Sequence, residues 1–278
     1  LSLDTYQAQL DRQRIIQALQ LHSSVPSGNL ATAEQALIGA KGGGYLRQDL
    51  EDNLSSTQLD APLGLLLDDL SGASLVAVWA WSRWPDSDGY KFLNQSMDDM
   101  RDKMEGVCIG FRPGSSALAP GVRSTKSAVP VELLPNPQDL DGWHSMTELN
   151  TVSMRRARRL DVWFDEPNNQ AVVDASFQDS ATTPTGGRMA VHEYSLLMRM
   201  DMSSGTISSI EATPRVLPFP ECPSAVLGLQ KIVGKPVAEL RKLVLAEYPK
   251  VKGCTHLNDA LRALANVPSL VEQLKRLQ

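Results

Sequence analysis

The chain is short of several things that mark particular classes of protein. It has 3 cysteines in 278 residues, Cys108, Cys222 and Cys254, too few and too odd in number for a disulfide framework. Its longest uninterrupted apolar stretch, Leu75 to Trp81, falls far short of a membrane span. There is no basic excess. With 27 Lys+Arg against 32 Asp+Glu the formal net charge is −5, which argues against a nucleic-acid-binding protein. The opening residues LSLDTYQAQLDRQR lack a charged-then-apolar secretory pattern. GxSxG, GxGxxG and HExxH are all missing, and Gly42-Gly43-Gly44 lacks the Lys-Ser/Thr of a phosphate loop, so no nucleotide cofactor is expected. These absences leave a soluble protein of a reducing compartment, expected in the cytoplasm, with neither nucleic acid nor membrane as partner.

The remaining composition is that of an ordinary globular chain, 42% hydrophobic and 21% charged. The length suits one large domain or two of ordinary size. Leu10, Ile15, Ile16 and Leu19 have helical spacing, which predicts a helix over Tyr6 to Leu21. Ser23 to Asn29 breaks it, Ala31 to Ile38 reads as a short helix, and the glycine run after it marks a turn or a close backbone approach. Leu63 to Leu70, Ser71-Gly72, and Ala73 to Trp84 read as a hairpin whose second arm is apolar on both faces. Its tryptophans fit a core or a pocket wall.

The C-terminal half is clearer. RRARRLDVWF (155–164), Val172 to Phe177, His192 to Met200 and Thr206 to Ala212 read as four strands. Gln178-Asp179 opens a turn region, and Ser203-Ser204-Gly205 makes a hairpin turn. Ala225 to Val233, Pro236 to about Tyr248, and the stretch opened by Gly253-Cys254 are helical, and Ser269 to Glu272 matches a capping box for a terminal helix. Strands followed by helices give an α+β fold, an antiparallel sheet packed against helices. The halves also echo each other: LRQDLEDN with VVDASFQDS, and the Gly72 turn with the Gly205 turn. This suggests two related units in tandem, the first degenerate, unless hairpins and amphipathic helices are alike by chance. The division expected is 1–120, a Pro-rich linker at 121–150, and 151–278 carrying the site.

Three short motifs sit at element boundaries: His192-Glu193-Tyr194, Glu221-Cys222-Pro223 and Gly253-Cys254-Thr255-His256. His192, Cys222, Cys254 and His256 could converge on zinc or iron. Cys222 and Cys254 precede helices, where the dipole and free N–H groups favour thiolate. His192 and Glu193 are candidates for acid–base work, with Asp179, and less so Asp174, as base or orienting group. The other reading of Asp179 is a turn residue bonding its own backbone. Arg156 and Arg158 share the apolar face of their strand. They pair with a buried carboxylate or, with Tyr194, hold a substrate.

The motifs RRARRLDVWF, FQDSATTPTGGRMAVHEY, RVLPFPECPSA and GCTHLNDALRALA resemble a bacterial family of uncharacterised proteins, over roughly Gly142 to Leu274. The resemblance implies, loosely, catabolism of aromatic and other carbon compounds. The order strand, Gly turn, strand, Cys222-x-x-Ala225, Val233-Gly234-Lys235 helix and Cys254-led helix is also similar to iron–sulfur scaffolds of the NifU/IscU type. That resemblance implies a cysteine site at one end of an antiparallel sheet. Cys222 and Cys254 match the second and third cysteines, and His192 stands where the first would be.

The function expected is an enzyme of small-molecule catabolism, a lyase (retro-aldol C–C cleavage) or a hydrolase, working with or without zinc. The alternative is a metal- or iron–sulfur-handling protein without turnover. Its partner is a small-molecule substrate, and a homo-oligomer is allowed.

Overall fold

The computed structural model describes residues 4–23, 30–55, 58–59, 61–122, 128–131, 134, 136, 138–139, 141 and 146–277, apart from the side chains of 96–100. All but Ser23 of the break read at Ser23 to Asn29, and much of the linker read at 121–150, lie outside the described residues. The fold is α+β, with antiparallel sheets and helices. Two compact units divide the chain, Leu1–Ala77 and Val78–Gln278.

In the first unit the helix expected over Tyr6 to Leu21 is instead a hairpin of β1 (Thr5–Leu10) and β2 (Ile16–His22). Asp11 decides this. Its Oδ1 accepts from the N–H groups of Gln13 at 2.8 Å and Ile15 at 2.9 Å, closing a turn in which Arg14 takes a φ of 65°. A side chain that bonds nearby backbone in this way competes with helix. β2 then buries Ile16, Leu19 and Leu21 against α1 (Leu30–Leu37) and α2 (Leu46–Asn53). The close approach expected of the glycine run is seen at Gly42, where a Cβ would stand 3.0 Å from Leu10 and 3.1 Å from the Ser74 hydroxyl.

The hairpin expected at Leu63 to Trp84 is one continuous helix, α3 (Pro62–Trp81). Residues apolar on every side satisfy a buried strand and a buried helix equally, and Ser71-Gly72 was too weak a break to stop 20 residues of helix. α3 is also long and apolar enough to cross a membrane, with an 18-residue window of mean hydropathy 1.5 of which 44% is buried. Its residues Leu63, Leu67 and Leu70 belong to the core of the first unit. The echo between the halves is therefore not a shared structure: LRQDLEDN is helix α2, whereas VVDASFQDS is strand.

The second unit begins its helices with α4 (Asp88–Met104), whose N-cap Ser87 accepts from the Tyr90 N–H. Its sheet contains β3 (Val129–Pro130), β4 (Met154–Asp165), β5 (Gln170–Thr182), β6 (Arg188–Asp201) and β7 (Ile207–Val216). β5 lies between β4 and β6, and the far edge of β6 is shared end to end by β3 and β7. β5 does not turn at Gln178-Asp179 as expected but runs on to Thr182. One face of the sheet packs on α5 (Leu240–Glu247), α6 (Thr255–Ala263) and α7 (Val267–Lys275). The segment after Cys222, expected as α-helix, is a run of 3-10 turns over Cys222–Ile232 that ends at Gly234. α7 starts before the expected capping box, with Asn266 as N-cap and Pro268 in its first turn.

Candidate functional site

The core face of the sheet changes character at one end. Along β5 it presents Ala171, Val173, Ala175 and Phe177, and along β6 Met200, Met198, Leu196 and Tyr194. The next residues on the same faces are Asp179 and His192, paired directly across the two strands. On β4, Leu160, Val162 and Phe164 give way to Arg158 and Arg156, and Arg156 lies opposite Asp179. Strand alternation thus places four polar side chains where a core would continue. A bulge at Asp179/Ser180 leaves Val191 unmatched, and a second at Glu193/Tyr194 interrupts the pairing with β7. The two irregularities flank His192, which keeps its place opposite Asp179.

α6 closes this end. Arg156 binds Asp179 with both arms of its fork, Nε to Oδ1 at 2.8 Å and Nη2 to Oδ2 at 2.9 Å. Its Nη1 donates to Asp259 Oδ2 on α6, also at 2.8 Å. Arg158 donates to the Asp259 carbonyl at 2.7 Å, and both guanidinium groups lie over the Phe177 ring, about 5 Å from its centre. The choice left open for Arg156 is thereby made: its fork is taken up by buried carboxylates. Asp179 is fully buried and is not a turn residue.

His192 Nδ1 lies 3.3 Å from Asp179 Oδ2, poorly aimed for a hydrogen bond, and His256 Nε2 lies 3.7 Å from the same oxygen. The two imidazoles stack, with centres 3.3 Å apart and planes 17° from parallel. Burial alone would raise the Asp179 carboxyl. The Arg156 charge, the His192 contact and the Arg156 hydrogen bonds overturn that and hold it well below the ordinary carboxylate range. Burial lowers His192, only partly opposed by Asp179. Burial and the neighbouring His192 push His256 well below 6.5. The arrangement is one carboxylate facing two neutral rings.

The other candidates fall into place around this centre. Cys254 precedes α6 as expected and its Sγ is 4.0 Å from His256 Nδ1. Burial raises its thiol to about 11, however, outweighing Tyr194 and the backbone of Leu257 and His256. Cys222 is likewise raised by burial, to about 12. The thiolates expected ahead of these helices are thus disfavoured, because loss of solvation on burial outweighs the hydrogen bonds that would favour the anion. Cys222 packs beside Gly110, whose absent Cβ would lie 2.8 Å from its sulfur and 3.8 Å from that of Cys108. Tyr194 is fully buried, with its hydroxyl towards Cys254 but lacking an aligned partner. Glu193 is on the opposite face, where it accepts from Gln178 at 2.9 Å, and Asp174 pairs with Arg159 there. Neither reaches the His192 face. Sequence reasoning missed Asp259 and Cys108. Asp259 was within reach, since it follows His256 by three residues on one helix face. Cys108 was not, because only the fold brings its segment to Gly253, through the Ile109 N–H to Gly253 carbonyl bond of 2.8 Å.

Residues 154–269 match the profile of a family described as Protein of unknown function (DUF2889). This agrees with the expected resemblance to a family of uncharacterised proteins over that part of the chain. The matched segment runs from β4 into α7 and holds Arg156, Asp179, His192, Cys222, Cys254, His256 and Asp259, but not Cys108. Searches of curated proteins and of solved structures gave no match.

Proposed function

We propose that the chain is an enzyme of small organic molecules, a lyase or hydrolase, in which His192 transfers a proton and Asp179 holds it in position. One observation carries this reading: a fully buried carboxylate, gripped by Arg156, faces the imidazole nitrogens of His192 and His256 at 3.3 and 3.7 Å. With Asp179 at Nδ1, the His192 tautomer that places its proton there leaves the Nε2 lone pair as base. Nδ1 is buried, so the 10% of the His192 side chain that reaches solvent belongs to its other atoms. A neutral ring can take a proton from a substrate hydroxyl, opening C–C cleavage, or from a water, opening hydrolysis. His256 lies close enough to serve as the second acid–base group. The test is a screen of esters and β-hydroxy carbonyl compounds on the wild type and His192→Gln. The variant should stay folded and lose turnover by roughly 10²–10⁴-fold. Equal turnover by both would overturn the assignment.

A second reading rests on the ligand-capable atoms of Asp179, His192 and His256, which lie within 4.8 Å of one another. The donor set suits zinc or iron. The ring geometry does not. An ion held between the stacked rings would lie well out of the plane of each, away from their in-plane lone pairs. Arg156 also already occupies both Asp179 oxygens. Iron–sulfur handling would instead draw on Cys222 and Cys254, with Cys108 nearby. Elemental analysis separates these readings. Near-stoichiometric metal lost in His256→Gln would assign it to the imidazoles. Metal kept there but lost in Cys222→Ser would assign it to the thiols.

A further inference from the structure

An open cavity of mixed polar and apolar lining lies at the turn end of the β5–β6 hairpin, with a volume of about 570 Å³, within the usual size of a small-molecule site. Its walls are Ser82 and Arg83 from the corner after α3, Pro130 and Val131 at β3, and the stretch Thr183 to Met189. The Trp84 indole N–H donates to the Thr182 carbonyl at 2.9 Å and so holds this corner against the end of β5. Consecutive glycines Gly186 and Gly187, with φ of 87° and 70°, turn the hairpin back without side chains to fill the space.

Among the described residues neither guanidinium in this cavity has an ion-pair partner, and Glu148 acts on Arg188 only at longer range. Arg188 is anchored from behind, Nε to the Ser180 hydroxyl at 3.0 Å and Nη2 to the Ser180 carbonyl at 2.8 Å, which leaves Nη1 without an acceptor among the described residues. Arg83 rests over the Trp79 ring at 5.3 Å and gives Nε to the Ser82 hydroxyl. Among the described residues no carboxylate lies within ion-pair distance of either guanidinium. Arg155 adds a third positive charge nearby and is met by Glu148 only at 3.7 Å. Burial and Arg155 lower Arg188 to about 10, so the cation is held against a cost that an incoming anion would relieve. In a chain of net charge −5 this is a local reversal of sign.

We propose that this cavity binds a small organic anion, its carboxylate or phosphoryl group forked by Arg188 and Arg83 and its apolar part against Pro130, Val131 and Met189. Unpaired guanidinium groups with fixed planes suit planar or tetrahedral oxyanions. The hydroxyls of Ser82 and Thr183 line the same space but donate to the Trp79 and Gly186 carbonyls, so the exposed Thr185 hydroxyl is the one that can turn to donate to an anion. The proposal stands independently of proton transfer at His192.

The test is calorimetric titration of the full chain at low salt with benzoate and with phenyl phosphate. One-to-one saturable binding of at least one probe is expected, and the tighter probe names the head group. Arg188→Gln and Arg83→Gln should each weaken it at least tenfold, with melting temperature checking that both remain folded. Thr185→Glu places a carboxylate at an exposed lining position, where folding is not at stake, and should abolish binding. Failure of both probes to saturate would overturn the proposal, as would wild-type affinity in Arg188→Gln or Thr185→Glu.

Discussion

Two ends of one sheet face differ in what they do with burial. At the apolar end, Val173, Leu196 and Met198 are sealed by α5 to α7, and stabilisation comes from area removed from water, independent of pH. At the polar end, Asp179, Arg156 and Asp259 are as deeply buried, yet their side chains are charged and stable only together. The same strands and the same alternation build both. What differs is that the polar end stores charges and protonation states, which makes it both the costly part of the fold and the part able to do chemistry.

The comparison is sharpest where a single charge is removed. Arg156→Ala leaves Asp179 and Asp259 buried without a cation and should cost about 3–5 kcal/mol, read by chemical denaturation. Removing Arg156 and Asp179 together, as Arg156→Met with Asp179→Leu, should cost less than the single change. A larger loss in the double variant would show that the pair contributes net stability. Leu196→Ala at the apolar end should cost about 2–5 kcal/mol and leave the pH dependence of stability unchanged.

Acid should separate the ends next. His192 and His256 have folded pKa values below the unfolded value of about 6.5. The unfolded chain therefore takes up their protons first, and stability present above pH ~6.5 is lost as the pH falls towards the folded values. Asp179, also depressed, adds a further loss below pH ~4. Melting temperatures from pH 7.5 to 4 should fall accordingly, and His256→Gln should flatten the first part of that fall. In alkali the buried thiols act the other way. Cys222 and Cys254 are raised to about 12 and about 11, so stability is complete below pH ~8.5 and is lost above it as the unfolded thiols ionise. Cys222→Ala should shallow that alkaline decline. The smallest effect belongs to the outer face, where Arg159→Ala, losing its contacts with Asp161 and Asp174, should change stability by about 0–1 kcal/mol.

Much of the second unit was legible because its strands alternate cleanly and its helices follow turn signals. Arg156 and Arg158 were placed on the apolar face of β4 by parity alone. The errors cluster where local pattern was ambiguous. Tyr6 to Leu21 satisfied a helical count until the Asp11 side chain turned the chain back. Leu63 to Trp84 was apolar all round and so carried no period to separate strand from helix. Gln178-Asp179 looked like a turn because an aspartate inside a strand is rare, and only Arg156 makes it tolerable there.

By itself the sequence determined the α+β class, the order of β4 to β7 along the chain, and the choice of His192, Asp179, His256 and the cysteines as residues able to do chemistry. It could do so because alternation and turn chemistry act over a few neighbours. Tertiary structure alone decided which of these groups share a centre and in what protonation state. It stacked His256 on His192, brought Asp259 to Arg156 and set Cys108 beside Cys222. It also kept the thiols protonated, because desolvation depends on what the whole fold packs around a group, which no local pattern encodes.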